Sequence, residues 1–253
     1  MRRAERVVVY ERVRIGTSGW EYGHWLGRFY PRELPRDRWL EFYATRFDTV
    51  ELNASFYRLP AAATFERWGR RVPAEFRFAV KASRYLTHVR RLRDPEEPVE
   101  RLRTRASRMG DRLGPILYQL PPRWRPNPER LERFLGAIAG AADQVIEVRD
   151  ARWYTPAILA MIEGSGASLC LHDMAGSAPA PQRLGPLVYL RFHGSGERYG
   201  GSYPSQALAA WADRIAAWAG DGHPVWAFFN NDIGGHAVID AARLRELVQR
   251  RTR

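Results

Sequence analysis

The stretch FRFAVK, residues 76–81, has the length and apolar alternation of a buried β-strand, and it ends in a charged residue, Lys81. Seven further runs of similar length and similar enrichment in β-branched or aromatic residues recur along the chain. They are VRIGTS (13–18), TVELN (49–53), PILYQL (115–120), QVIEVR (144–149), SLCLHD (168–173), LVYLRFH (187–193) and VWAFFN (225–230). The sequence therefore predicts eight strands.

Helical patterns follow most of these strands, such as NPERLERFLGAIAG (127–140) and TPAILAMIEGSG (155–166), which both open on a capping residue and a proline. Strand–helix alternation repeated eight times in 253 residues is typical of a TIM-like (β/α)₈ barrel. The segment MAGSAPAPQRLGP (174–186) is rich in Pro and Gly without a helical period. We therefore expect an imperfect helix ring, with the sixth helix short or missing.

An open, doubly wound sheet is the alternative fold. It favours a Gly-rich phosphate turn after the first strand, and the turn here, GTSGWEYGHW (16–25), is not a dinucleotide fingerprint. No Ser/Gly-rich linker divides the chain, so residues 1–253 are predicted to form a single barrel domain, with residues 1–12 as a basic N-terminal extension.

The chain has a net charge of +12 and a pI near 10.5, which favours phosphate-bearing partners. A small anionic or polyhydroxylated ligand is the predicted partner, and nucleic acid is the alternative. No apolar run is long enough to span a membrane, and the N-terminus lacks the pattern of a signal peptide. Cys170 is the single cysteine, so an internal disulfide is excluded and a cytoplasmic location is expected.

Every predicted strand ends in polar or ionisable residues. Because the C-terminal ends of barrel strands meet at one face, and because unpaired polar groups are costly to bury, these residues are expected to surround a ligand cavity. They are Thr17, Ser18, Trp20, Glu51, Asn53, Lys81, Gln119, Glu147, Arg149, His172, Asp173, Arg191, His193, Asn230, Asn231 and Asp232.

Three of these residues are candidate catalytic groups. Lys81 is the single lysine among 40 Lys and Arg, and lysine offers a compact amine with an adjustable pKa that arginine lacks. Glu51 and Glu147 are candidates for an acid–base pair. Glu147 also lies on one strand face with Arg149, so an ion pair between them is the alternative.

The cofactor remains open at this level. Glu147, His172 and His193 are the residues that a metal ion would use, but the six histidines form no HxH or HExxH motif. A metal-free site in which the histidines donate or accept hydrogen bonds is therefore favoured.

Aromatic residues and a turn complete the set of candidates. Trp20, Tyr57, Tyr199 and Tyr203 are predicted to stack on a sugar or nucleobase, with packing in the core as the alternative. FFNND (228–232) is either an amide clamp for an anion or a tight turn. The Gly-rich segment HGSGERYGGSY (193–203) is a candidate lid.

Seven ordered segments resemble the domain of unknown function 72 family, the YecE-like proteins. They are GTSGWEYGHWLGRFYP, FDTVELNASFYRLP, FRFAVKASRYLTH, LGPILYQLPP, VIEVRDARW, VYLRFHGSGERYGGSY and WAFFNNDIGGHAVIDA. The resemblance implies a TIM-like barrel with an imperfect helix ring and no established activity. Its motifs imply site residues at Trp20, Glu51, Asn53, Tyr57, Lys81, His88, Gln119, Glu147, Arg149, Arg191, His193, Tyr199, Tyr203, Asn230 and Asn231.

Three hypotheses of function follow. The first is a metal-free enzyme acting on a phosphorylated or sugar-like small molecule. The second is a metal-dependent nuclease or repair enzyme, by analogy with the endonuclease IV fold. The third is a non-catalytic nucleic-acid or nucleotide binding module whose aromatic residues stack on bases.

Overall fold

A computed structural model describes residues 12–140, 142–177, 179–194, 196 and 199–252. Eight strands form one sheet. They are β1 (Val13–Thr17), β2 (Thr49–Leu52), β3 (Arg77–Lys81), β4 (Leu113–Gln119), β5 (Gln144–Glu147), β6 (Ser168–His172), β7 (Val188–Phe192) and β8 (Val225–Phe229). Each of the eight predicted runs therefore overlaps one strand, and β4 begins two residues before its predicted run.

The strands are parallel and follow the order β1-β8-β7-β6-β5-β4-β3-β2. The ring is nearly closed between β1 and β2, where Ser18 bridges Glu51 and the Gly19 N–H donates to the Glu51 carbonyl at 2.9 Å. The prediction of a TIM-like barrel is confirmed.

Eight α-helices lie in the described ranges. They are α1 (Trp39–Ala44), α2 (Ala54–Tyr57), α3 (Ala62–Arg70), α4 (Glu96–Ala106), α5 (Pro128–Ile138), α6 (Pro156–Gly164), α7 (Ser205–Gly220) and α8 (His236–Thr252). Asn127 and Thr155 cap α5 and α6 by accepting from backbone N–H groups, as their sequence predicts. Among the residues described between β6 and β7 there is no helix, which confirms the imperfect ring.

The interior of the barrel has an apolar layer formed by alternate strand residues. Its members are Ala79, Leu117, Val145, Cys170, Leu187, Tyr189, Trp226 and Phe228, and all are buried. A second and larger apolar core lies between the sheet and the helices. Because side chains on a strand return to the same face every second residue, the residues that come two positions later also point into the barrel.

Within the described part of the chain, no helix is both long and apolar enough to cross a membrane. The predicted cytoplasmic location stays a prediction. Most of the predicted N-terminal extension, residues 1–11, lies outside the described residues.

Tyr43 joins the two strands at the β1–β2 seam. Its hydroxyl accepts from the Thr17 N–H at 3.0 Å and donates to the Thr49 carbonyl at 3.1 Å. Gly16 permits this close approach, since a Cβ there would lie 2.2 Å from the Thr49 oxygen. The Tyr43 hydroxyl therefore bridges β1 and β2 at a place where the two strands form no direct backbone hydrogen bonds.

Tyr43→Phe is expected to lower the free energy of unfolding by about 1–3 kcal/mol, because it leaves a buried N–H and a buried C=O without their partner. Urea denaturation measures this loss. Tyr30→Phe is the matched control, since the buried Tyr30 hydroxyl donates to the Trp20 carbonyl alone. A smaller loss for Tyr43→Phe than for Tyr30→Phe would contradict the role of Tyr43 at the seam.

Candidate functional site

A polar layer lies above the apolar layer inside the barrel, and the two-residue period of the strands generates it. Two positions after five residues of the apolar layer comes a polar or charged residue: Lys81 after Ala79, Gln119 after Leu117, Glu147 after Val145, His172 after Cys170 and Arg191 after Tyr189. These polar side chains thus converge at the C-terminal ends of their strands, where barrels place their chemistry.

Arg191 is the centre of this layer and is only 1% exposed. Its guanidinium donates to the Glu51 carboxylate at 2.8 and 2.9 Å and to Glu147 Oε2 at 2.8 Å. Arg149 forms a second ion pair with Glu147. Two arginines and two glutamates therefore neutralise one another at the base of the site.

The remaining acceptor positions of both glutamates are occupied by neutral donors. Ser18 and Tyr189 donate to Glu51 at 2.7 and 2.8 Å, and Gln119 donates to Glu147 at 2.8 Å. Burial alone raises the pKa of each carboxyl, but Arg191 for Glu51, and Arg149 with Arg191 for Glu147, offset that effect and hold the pKa below its ordinary value. Both carboxylates are therefore ionised and fully engaged, and their predicted acid–base role remains a prediction.

His193 is neutral and has a defined tautomer. Its Nε2 lies 3.0 Å from Arg149 Nη2 and 3.2 Å from Arg191 Nη1, and both of those atoms can only donate. Nε2 therefore accepts and the ring proton lies on Nδ1, on the side of Asp173. Burial lowers the pKa of His193 to about 4, and the two guanidinium groups act in the same direction.

Lys81 differs from the other charged residues of the layer. Its Nζ lies 4.0 Å from the centre of the Phe56 ring, and the residue is 7% exposed. Within the described ranges, no hydrogen bond or ion pair joins Nζ to another side chain. Burial, followed by repulsion from Arg191, lowers the pKa of Lys81 to about 7.

A cavity of about 920 Å³ lies over Lys81 at the C-terminal ends of β2 to β7, and we call it the mouth cavity. Its charged and polar lining residues are Lys81, Arg84, His88, Gln119, Arg123, Arg149 and Asp150, and its aromatic ones are Phe56, Tyr57 and Tyr199. Asp150 is paired with Arg152 at 2.6 and 2.8 Å. Since Glu147 already neutralises Arg149, the free charge of the lining is the positive charge of Arg84 and Arg123, with Lys81 beside them.

The structure brings together six of the predicted site residues around the mouth cavity. They are Tyr57, Lys81, His88, Gln119, Arg149 and Tyr199. Glu51, Glu147, Arg191 and His193 lie in the ion-pair network next to it. Burial, with a contribution from Lys81, lowers the pKa of His88 to about 4, so His88 is a neutral lining residue.

Five predicted ligand contacts lie elsewhere in the structure. Trp20 packs edge-on against Trp68 in the apolar core, directly after Gly19, whose φ is 97°. Tyr203 is likewise buried against Phe192 and Phe229. Asn53, Asn230 and Asn231 do not line the mouth cavity.

In the FFNND segment the side chains of Asn231 and Asp232 contact other parts of the protein, and the alternative of an anion clamp stays a prediction. The Asn231 amide donates to the Gly201 carbonyl and to Asp240, both at 2.9 Å. Asp232 accepts from Trp25 Nε1 at 2.8 Å and pairs with His24. Their side chains are therefore already used inside the protein. The predicted lid falls partly on residues 195, 197 and 198, which lie outside the described residues.

The alternative metal site at Glu147, His172 and His193 does not fit the geometry. Glu147 and His193 Nε2 both face guanidinium groups, and His172 Nε2 lies 2.9 Å from the Val148 carbonyl. A cation placed among them would meet Arg149 and Arg191. Over the described ranges, no cluster of three or more His, Cys, Asp or Glu residues is arranged to hold a metal ion.

Phe56, Arg84 and Arg123 also line the mouth cavity, and the two arginines were not among the predicted site residues. Arg84 follows the end of β3 by three residues and Arg123 follows the end of β4 by four. Their position shortly after a strand end is the feature of the sequence that could have identified them. Arginine is common along the whole chain, so these two did not stand out.

The sequence of the chain matches known proteins over nearly its full length. The family described as "Protein of unknown function DUF72" matches residues 14–253, which confirms the resemblance. The UPF0759 protein YunF of Bacillus subtilis is 26% identical over 93% of this chain and 94% of its own length. The UPF0759 protein YecE of Escherichia coli is 29% identical over 56% of this chain and 50% of its own length.

A solved structure supports the fold. The crystal structure of a DUF72 family protein from Thermotoga maritima has a TM-score of 0.82 and 24% sequence identity to this chain. It covers 93% of this chain and 98% of the Thermotoga chain. At that identity the likeness establishes the barrel and no more.

Proposed function

This chain belongs to the DUF72 family of proteins of unknown function, and we propose that its barrel is an enzyme for a small phosphorylated or polyhydroxylated molecule. The molecule binds in the mouth cavity, and Lys81 transfers a proton to or from it. No metal ion takes part in this proposal.

One observation carries the proposal: the mouth cavity combines uncommitted cations with an uncommitted amine. Arg84 and Arg123 line the cavity, are exposed, and in the described chain form no ion pair. A phosphate or carboxylate group satisfies such cations by charge-assisted hydrogen bonds. The neutral network below them adds no charge to oppose the anion.

The proton-transfer role of Lys81 rests on its position and its pKa. A general acid or base is most efficient when its pKa lies near the working pH, and the pKa of Lys81 is about 7. Glu51 and Glu147 are held by the arginines, so in this proposal they fix the position of Arg191 and Arg149 instead of moving protons. Gln119 and neutral His88 are available for hydroxyl groups of the ligand.

The test is calorimetric titration with glycerol 3-phosphate, with glycerol as the control that lacks the anion. Arg84→Ala combined with Arg123→Ala is expected to weaken binding by about 100-fold or more, because hydrogen bonds to charged groups contribute about 1.5–3 kcal/mol each. Binding is also expected to weaken between about 0.05 M and about 0.5 M NaCl, since exposed cations are screened by salt.

Arg108→Ala is the control for the loss of a positive charge away from the mouth cavity. Arg108 is exposed and lies in the 3₁₀ turn Ser107–Arg112, which precedes β4 and is therefore at the opposite end of the barrel. Its removal changes the net charge without touching the mouth cavity. Equal weakening by Arg108→Ala, or equal binding of glycerol, would show that the cavity is not the anion site.

A second candidate function is the binding of nucleotides or single-stranded nucleic acid. The observation in its favour is that Tyr57 is 73% exposed and lines the mouth cavity together with the free arginines. An exposed ring of this kind stacks on bases. Titration with an oligothymidylate separates the candidates, since Tyr57→Ala weakens that binding and leaves glycerol 3-phosphate binding unchanged.

A further inference from the structure

We propose that Lys81 captures carbonyl groups: its Nζ forms a reversible imine with an aldehyde or keto group of a ligand whose phosphate or carboxylate binds the free arginines of the mouth cavity. This inference deepens the proposed function and rests on the anion site described there. In the proposed function Lys81 transfers a proton, whereas in this inference Lys81 also forms a covalent bond to the ligand.

Position 81 has a lysine in a chain that otherwise uses arginine for its basic side chains. Lys81 is the single lysine of the chain, among 40 Lys and Arg. An arginine supplies a positive charge and a richer set of donors for an anion, and the cavity already contains Arg84, Arg123 and Arg149. What those residues cannot supply is a primary amine that acts as a nucleophile.

The second argument is the environment of Nζ. The residue is more than nine-tenths buried, and Nζ lies on the face of Phe56 at 4.0 Å, yet it also lines the mouth cavity. The nearby carboxylates of Glu51 and Glu147 are occupied by Arg191 and Arg149. In the described structure neither carboxylate therefore forms an ion pair with Nζ, and Lys81 lines the mouth cavity.

The third argument is that the fold fixes the amine at the site. The Lys81 carbonyl accepts from the buried Ser55 hydroxyl at 2.7 Å, which ties β3 to α2. Phe56, on the same helix, then covers one side of Nζ and meets the His88 ring edge-on at 5.1 Å between centroids. Lys81, Phe56 and His88 thus line the mouth cavity together.

The chemical step balances without an oxidant or a reductant. The neutral amine donates its electron pair to the carbonyl carbon, and one proton moves from the nitrogen to the carbonyl oxygen to give a carbinolamine. The nitrogen then loses its second proton to that oxygen, which leaves as water as the C–O bond breaks and the C=N bond forms. Neutral His88 lines the same cavity and can relay this second proton by accepting it from the nitrogen and returning it to the oxygen.

The test traps the imine with sodium cyanoborohydride in the presence of glyceraldehyde 3-phosphate, with glyceraldehyde as the control that lacks the phosphate. The chain has one lysine, so the terminal α-amine is the only other primary amine and acts as an internal reference. Peptide mass mapping reports the label at each amine. We expect Lys81 to be labelled faster than the terminal amine, and about 10-fold faster with the phosphorylated probe.

Two variants lack the Lys81 amine. Lys81→Arg keeps the positive charge and Lys81→Met removes it, and both lose the label at residue 81 while the terminal amine remains labelled. The far-ultraviolet circular dichroism spectrum and a cooperative urea transition show that each variant is folded, independently of ligand binding.

The outcomes distinguish this inference from the proposed function. If glycerol 3-phosphate binds but Lys81 is labelled no faster than the terminal amine, the imine is overturned and Lys81 is a proton-transfer group. If glycerol 3-phosphate does not bind the wild type, the anion site fails. Rapid labelling of Lys81 by glyceraldehyde would then support the amine chemistry and overturn the requirement for an anion.

Discussion

Replacing Arg191 by methionine is expected to lower the free energy of unfolding by about 3–5 kcal/mol, because the change leaves one buried carboxylate without an ion pair and a second with only one of its two cations. Glu51 loses its ion pair, and Glu147 keeps only Arg149. Both glutamates are fully buried, so water cannot replace the guanidinium. Urea denaturation followed by tryptophan fluorescence measures the loss.

Two further variants distinguish charge from shape. Arg191→Lys keeps the charge but cannot donate to Glu51 and Glu147 at once from a fixed planar group, so an intermediate loss is expected. Combining Arg191→Met with Glu51→Gln and Glu147→Gln removes the unpaired charges, and much of the stability should return. A loss below about 1 kcal/mol for Arg191→Met would mean that the network contributes little, as surface pairs do.

The second large effect concerns pH. The free energy of unfolding of the wild type is expected to rise with pH between about 7 and 10, by roughly 1 kcal/mol per pH unit from Lys81 alone. The pKa of Lys81 is about 7 in the folded protein and has an ordinary value of 10.5 when unfolded. Between these values the unfolded chain binds one more proton, so a higher pH disfavours unfolding.

Lys81→Met is the variant that isolates this effect. It lacks the amine and should show a flatter profile, so its advantage over the wild type is largest near pH 7 and shrinks as the pH rises. The measurement is urea denaturation from pH 7 to about 9.5, in a buffer without phosphate, because a bound anion would favour the charged amine. Parallel profiles for the two proteins would contradict a lowered pKa for Lys81.

The position of Lys81 links these predictions to function. The same burial that lowers its pKa makes the amine neutral, and therefore reactive, near neutral pH. The Arg191 network contributes to that state by occupying the glutamates that would otherwise pair with the amine. Stability and reactivity at the mouth cavity thus depend on one arrangement of charges.

Much of the site could be predicted because it follows from local periodicity. Apolar runs that alternate every second residue define the strands, and the same period places Lys81, Gln119, Glu147 and Arg191 on the inner face of the barrel. The break in helical pattern after His172 likewise predicted the missing helix, since Pro and Gly do not support one.

The partners of these residues could not be predicted in the same way. Trp20 and Tyr57 both follow strand ends, yet Trp20 is in the apolar core and Tyr57 is exposed at the cavity. Trp20 follows Gly19, whose φ of 97° is one that glycine adopts readily, and no local sequence pattern gives the side-chain direction that such a loop produces. Arg84 and Arg123 also lie in loops after strand ends, and only the structure shows that both line the mouth cavity.

The sequence by itself therefore determined the eight strands, the barrel, the imperfect helix ring and the polar layer. Only the tertiary structure decided which charges are paired and which are free. Arg191 and Glu51 are 140 residues apart in the chain and meet at 2.8 Å across the barrel. Such a contact exists only once the ring of strands has closed, because closure brings side chains together that no local pattern relates.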